Sequence, residues 1–130
     1  MVHKYLGLTH KYGKIDCLEL IKLFYKNELL LEFETPTYKH SRKWMKQFSP
    51  SDVDECAVRC FKKVNWTDAQ DYDVIVFKSN DSTLIIHFGL YLKPLKMLHV
   101  EEGGVSCIQT LSDYWMNRIH ATYRHESLVR

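Results

Sequence analysis

The chain has little of what marks the more specialised protein classes. Its 130 residues include five glycines and three prolines, too few and too scattered for a collagenous, linker-rich or disordered chain. No stretch approaches the roughly 20 consecutive apolar residues that a membrane-spanning helix needs. Neither sign of charge dominates, since 18 basic residues face 16 acidic ones for a net charge of +2. That balance argues against an electrostatic nucleic-acid binder, which requires a concentrated basic face. The opening Met1-Val2-His3-Lys4-Tyr5-Leu6 shows no apolar segment followed by a small-residue cleavage site. No signal peptide is therefore expected, and folding in a cytoplasm is. In that compartment Cys17, Cys56, Cys60 and Cys107 are expected as free thiols.

What remains is an ordinary globular composition, 45% hydrophobic and without repeats. A chain of this length buries roughly two-thirds of its unfolded surface, so residues 1–130 are read as one domain. Residues 17–29 place Leu18, Ile21, Tyr25 and Leu29 on one helical stripe, with Leu20 and Phe24 beside it. Asp16 is a good N-cap, Glu19 follows at capping-box spacing, and the helix is expected to begin at Cys17. Residues 39–48 and 51–63 read as two more polar helices, separated by Ser49-Pro50-Ser51-Asp52. The period then changes. Residues 73–77, 83–92, 96–101 and 104–110 read as strands, with Gly103-Gly104 as a turn, a helical turn over 112–117 and an extended segment over 119–125. Helices first and consecutive antiparallel strands second predict an α+β fold.

Three residues carry candidate chemistry. A thiol, a base and a second imidazole are the minimum parts of a cysteine acyl-transfer site, and Cys17, His87 and His99 supply them. Alternation over 83–92 puts Leu84, Ile86, Phe88, Leu90 and Leu92 on a core face, with Ile85, His87, Gly89 and Tyr91 opposite. Gly89 leaves room there for a helix end to approach. A hairpin turning at Lys93-Pro94-Leu95 sets His87 directly opposite His99 on one face, within hydrogen-bonding reach. A thiol in the first turn of a helix is favoured as thiolate by the macrodipole and unpaired N–H groups. The charges of Asp16 and Glu19 oppose that.

These segments resemble the NlpC/P60 family of cell-wall cysteine peptidases, in particular the small single-domain members encoded in phage tail gene clusters. The resemblance rests on Tyr5-Leu6-Gly7-Leu8, Tyr12-Gly13 and Asp16-Cys17 as the amino-terminal signature. Asp73-Val74-Ile75-Val76-Phe77 stands as the strand before the histidine, His87-Phe88-Gly89-Leu90-Tyr91-Leu92 as the histidine motif, and Leu98-His99-Val100 as the third polar position. It implies a papain-like fold, with the cysteine helix packed on an antiparallel sheet, and hydrolysis of amide bonds in peptidoglycan stem peptides without a metal or organic cofactor. It implies Cys17 as nucleophile, His87 as base and then acid, and His99 as the orienting group. The Cys17 N–H becomes an oxyanion donor, and His10 stands where many members carry a tyrosine beside the nucleophile. The implied partners are a stem peptide and phage tail proteins, and the implied location is the host cytoplasm and then the virion tail. Leu18-Glu19 replaces the usual Ser-Gly after the cysteine, which favours an alternative: a tail-tip structural or assembly subunit with weak or no catalysis. Acyl transfer to an acceptor other than water is a third reading.

The other reactive residues read as structural. Cys56 and Cys60, four apart, suit helix packing better than a metal site, and Cys107 suits a core strand. His3, His40, His120 and His125 join no evident constellation. Trp44, Trp66 and Trp115 read as core or interface anchors, and the basic cluster over 39–46 as a solvated helix face.

Overall fold

The computed structural model describes residues 1–35, 45 and 48–129. The helix expected over 39–48, its basic cluster, His40 and Trp44 lie outside the described residues, Met45 and Phe48 excepted.

Helix α1 spans Cys17–Phe24. Asp16 caps it, its carboxylate accepting from the Leu18 and Glu19 N–H groups at 3.1 and 2.8 Å. The cap satisfies donors that the first turn leaves open, so the helix starts at the cysteine. The apolar stripe continues beyond Phe24 as a wide π turn over Tyr25–Leu29, closed by Leu30 at φ 55°. Leu18, Leu20, Ile21 and Phe24 are all buried. At about 1.5–3 kcal/mol for each large apolar side chain removed from water, packing rather than intrinsic propensity holds so short a helix.

Helix α2 spans Pro50–Ala57 and opens on a full capping box between Ser49 and Asp52. The helix expected to run to residue 63 therefore ends early. Strand β1, Phe61–Val64, takes over and pairs antiparallel with β6, Ile119–His125. Ladder bonds to β6 outweigh the helix preference of Lys62 and Lys63. The other strands are β2 (Val74–Lys78), β3 (Ile85–Leu92), β4 (Lys96–His99) and β5 (Cys107–Thr110), with the short α3 at Asp113–Met116. The six-stranded sheet has the order β1-β6-β2-β3-β4-β5, and every pairing is antiparallel.

Both faces of the sheet are covered. On one, α1 packs against β3 and β4, and its apolar stripe meets Val74, Val76, Phe88, Leu90, Leu98 and Tyr123. On the other, Ile75, Phe77, Tyr91, Met97, Leu111 and Trp115 form a second cluster. An ion pair ties β6 to the residue just before β2: Arg124 Nη2 donates to the buried Asp73 at 2.9 Å.

Four expectations are corrected here. Phe77 pairs with His87 but Lys78 with Ile85, leaving Ile86 as an extra residue. This bulge turns Ile85 toward the helix face and Ile86 toward the second cluster. The β3–β4 ladder pairs Leu90 with Leu98 and Tyr91 with Met97, two residues away from the register expected for His87 and His99. The space at Gly89 is taken by Met97 rather than a helix end, since a Cβ at Gly89 would stand 2.5 Å from the Met97 sulfur. Cys107 is exposed rather than in a core, because β5 is an edge strand solvated on all four residues.

Candidate active site

His87 and His99 meet. His87 Nε2 lies 2.8 Å from His99 Nδ1, with ring centroids 5.0 Å apart and planes at 83°. A two-residue shift of register keeps both on one face, so the contact forms diagonally instead of directly across. Trp115 of α3 stacks on His87, with centroids 4.9 Å apart and planes at 29°, and Phe77 packs beside both rings, 5.9 Å from His87 and 4.9 Å from Trp115. Both imidazoles are buried. Burial and then the neighbouring His99 push His87 well below the ordinary histidine value, so it is a neutral base. Burial also lowers His99, against the charge of Glu101 and the approach of Gln109.

Cys17 is buried at the start of α1. Its sulfur is placed to receive N–H groups from Phe88, Cys17 and Leu18, while burial and then the charge of Asp16 push the thiol up. Phe88 follows His87 directly, so the cysteine helix reaches β3 beside the histidine. The thiol also lies 3.8 Å from the Met45 sulfur. Among the described residues no hydrogen bond joins the thiol to the His87 ring. The resting state has a neutral thiol and a neutral imidazole pair rather than a preformed ion pair.

The amino-terminal arm is tied to the β4–β5 connection. Gly7 N–H donates to Ser106 O at 2.9 Å, Ser106 N–H to Leu8 O at 2.8 Å, and His10 N–H to Gly104 O at 2.9 Å. His10 is half-buried and packs edge-on to Tyr12 at 4.6 Å. The arm then turns at Gly13, φ +76°, whose N–H donates to Asp16, and delivers the chain to Cys17.

Sequence reasoning missed several neighbours. Trp115, read as a core anchor, is that and also the stacking partner of His87, and no local spacing links residues so far apart. His120 does join a cluster, meeting Asp54 at 3.0 Å, and Asp54 also accepts from the Tyr123 hydroxyl. Cys56 donates to Glu34 O at 3.3 Å, and Cys60 lies beyond the end of α2. Among the described residues no group of three or more His, Cys, Asp or Glu could hold a metal ion, and no helix is long and apolar enough to cross a membrane.

The fold is shared with solved structures at low identity. A lipoprotein-like NLP/P60 family protein from Staphylococcus aureus aligns with a TM-score of 0.63 and 21% identity over 95% of this chain. NlpC1 from Trichomonas vaginalis aligns with 0.61 and 19% over 95%, and an NlpC/P60 family protein from Bacillus cereus with 0.60 and 15% over 92%. The chain spans only part of each of these proteins: 38%, 41% and 36% of their respective lengths. No protein of curated function matches the sequence significantly. The NlpC/P60 family model matches residues 3–124. With nearly its whole length so matched, the chain belongs to the NlpC/P60 family.

Proposed function

We propose that this chain is a cysteine peptidase that hydrolyses amide bonds in peptidoglycan stem peptides. The observation that carries the proposal is the buried His87–His99 pair at 2.8 Å, with α1, which begins at Cys17, packed on the strand that carries His87. The thiol transfers its proton to His87 as the sulfur attacks the substrate carbonyl. The S–C bond forms and the C–N bond breaks, with His87 returning the proton to the leaving amine. Water, deprotonated by His87, then releases the acid and restores the thiol. The Cys17 N–H is an oxyanion donor, and His99 holds the His87 ring in its productive tautomer. His10 borders the substrate. A phage tail is the proposed setting, on the strength of the resemblance of these motifs to tail-encoded members, with assembly in the host cytoplasm and tail proteins as partners.

The test is incubation of purified stem-peptide fragments with the wild-type chain and with Cys17→Ala. Release of a new amine by the wild type alone supports the peptidase. No turnover and no acyl adduct on Cys17 would sink it. A second reading, a tail-tip assembly subunit, is favoured by the buried thiol engaged with Met45 and by Leu18-Glu19 after the cysteine. It expects an inactive wild type together with a tail-assembly defect when the gene is deleted.

A further inference from the structure

His99 has a ring nitrogen that its surroundings do not satisfy. Nδ1 faces His87, but Nε2 is buried and has no hydrogen-bond partner among the described residues. Buried polar atoms of this kind call for an explanation. The proposed chemistry sharpens the question. For His87 to take the thiol proton on Nδ1, its Nε2 must already carry hydrogen and donate it to His99 Nδ1. The proton of His99 then sits on Nε2, and it needs an acceptor.

The β4–β5 ladder indicates which group can supply one. It sets Met97 against Gln109 and His99 against Cys107. Residues opposite one another project to the same side of a sheet, so Gln109 rises on the His99 face, one diagonal step away and within reach of a long side chain. Gln109 is exposed on the edge strand, so its carboxamide is free to turn its oxygen inward. It already approaches closely enough to favour the protonated ring, although no bond of ordinary geometry reaches Nε2. Cys107, directly opposite, offers only a weak sulfur acceptor. Glu101 acts on the ring through its charge.

We infer that Gln109 is a positioning residue of this site, its side-chain oxygen accepting from His99 Nε2–H and thereby fixing the tautomer that leaves His87 Nδ1 open to the thiol proton. The relay runs from Cys17 through His87 and His99 to Gln109. It rests on the peptidase reading for its purpose, but the tautomer itself is a property of the resting protein.

The test is a long-range 1H–15N correlation spectrum of the labelled full chain at neutral pH, which separates Nδ1–H from Nε2–H imidazoles. His99 is assigned by the signals lost in His99→Gln. The wild type and Gln109→Glu, which keeps an acceptor, are expected to show Nε2–H at His99. Gln109→Leu, which has no acceptor, and Gln109→Thr, whose hydroxyl on Cβ is too short to reach the ring, are expected to shift it toward Nδ1–H. On stem peptides the same two variants lose roughly tenfold in kcat with KM little changed, and Gln109→Glu recovers most of it. An Nδ1–H tautomer in the wild type, or an Nε2–H tautomer unchanged in Gln109→Leu and Gln109→Thr, overturns the inference. The spectrum needs no turnover. A chain that cleaves nothing yet shows the Gln109-dependent tautomer defeats the peptidase reading and upholds this one.

Discussion

His99 Nδ1 stands 2.8 Å from His87 Nε2 although the two residues are not cross-strand partners. Continued one step, the ladder that pairs Leu90 with Leu98 sets His99 against Gly89. The imidazoles meet on the diagonal, at nearly perpendicular planes, with the indole of Trp115 laid along His87. The base is therefore fixed by three elements: its own strand, the neighbouring strand and the short helix after the sheet edge. Each can be tested separately.

Trp115 is buried against Phe77, His87 and His99. Trp115→Ala is expected to cost about 3–5 kcal/mol, the usual range for deleting a buried aromatic, read from urea denaturation. Trp115→Phe retains a stacking ring and is expected to lose less than half as much. A Trp115→Ala chain as stable as the wild type would mean the indole does not pack against His87 in solution.

Acid should destabilise this chain from near neutrality downward. Burial and the proximity of His99 depress His87 to about 3, whereas an unfolded histidine titrates near 6.5. Below about pH 6.5 the unfolded chain binds the extra proton, so this contribution is complete above that pH and is lost as pH falls toward the folded value. Burial shifts His99 and His125 in the same direction. The urea midpoint should therefore fall between pH 7.5 and pH 5. In His87→Gln the slope should be shallower, by at most about 1.4 kcal/mol per pH unit. Equal slopes in the two chains would contradict a buried neutral His87.

Much of this arrangement is legible in local sequence, because caps and alternation are local. Asp16 before a wide apolar stripe places the start of α1 at Cys17, and the apolar alternation from Phe88 to Leu92 assigns the helix-facing side of β3. What is not legible depends on distant pairing. The insertion of β6 between β1 and β2 cannot be read from residues 119–125, since the ladder partners lie elsewhere in the chain. The bulge at Ile86 arises between two strands, not within one, and it reverses the sides of Ile85 and Ile86. Residues 51–63 show helical character throughout, yet β6 captures the last three, together with Val64, as an edge strand. The histidine contact survived a wrong register because a shift of two preserves the face; a shift of one would have separated the rings.

Asp16 is expected to restrain the thiol it positions. Its buried carboxylate caps α1, and its charge stands second to burial in keeping the Cys17 thiol protonated. Asp16→Asn retains a cap oxygen for the Leu18 and Glu19 N–H groups while removing the negative charge. The thiolate then forms at lower pH, and iodoacetamide should alkylate Cys17 faster at pH 7–8, with exposed Cys107 as internal reference in the mass spectrum. The lost charge–dipole interaction and the weakened Gly13 contact should cost about 1 kcal/mol of stability. Unchanged or slower alkylation of Cys17 would show that Asp16 does not act on the sulfur electrostatically.

Gly89 links the histidine motif to the packing around His99. A methyl group there would meet the Met97 sulfur at 2.5 Å and the Met97 Cβ at 3.4 Å, and Met97 is fully buried. The nearer clash is with the flexible end of a side chain, so Gly89→Ala should fold but lose about 1–3 kcal/mol through forced repacking. Met97 lies two residues before His99 on the same strand face, so its displacement bears on the imidazole pair, and turnover should fall more than the stability loss alone explains. Met97→Val removes the sulfur and makes room for the methyl. The double variant Gly89→Ala/Met97→Val should be more stable than the sum of the single losses by roughly 0.5 kcal/mol or more. Strict additivity across that cycle would show that Met97 does not fill the space above Gly89, and that the glycine serves the strand for another reason.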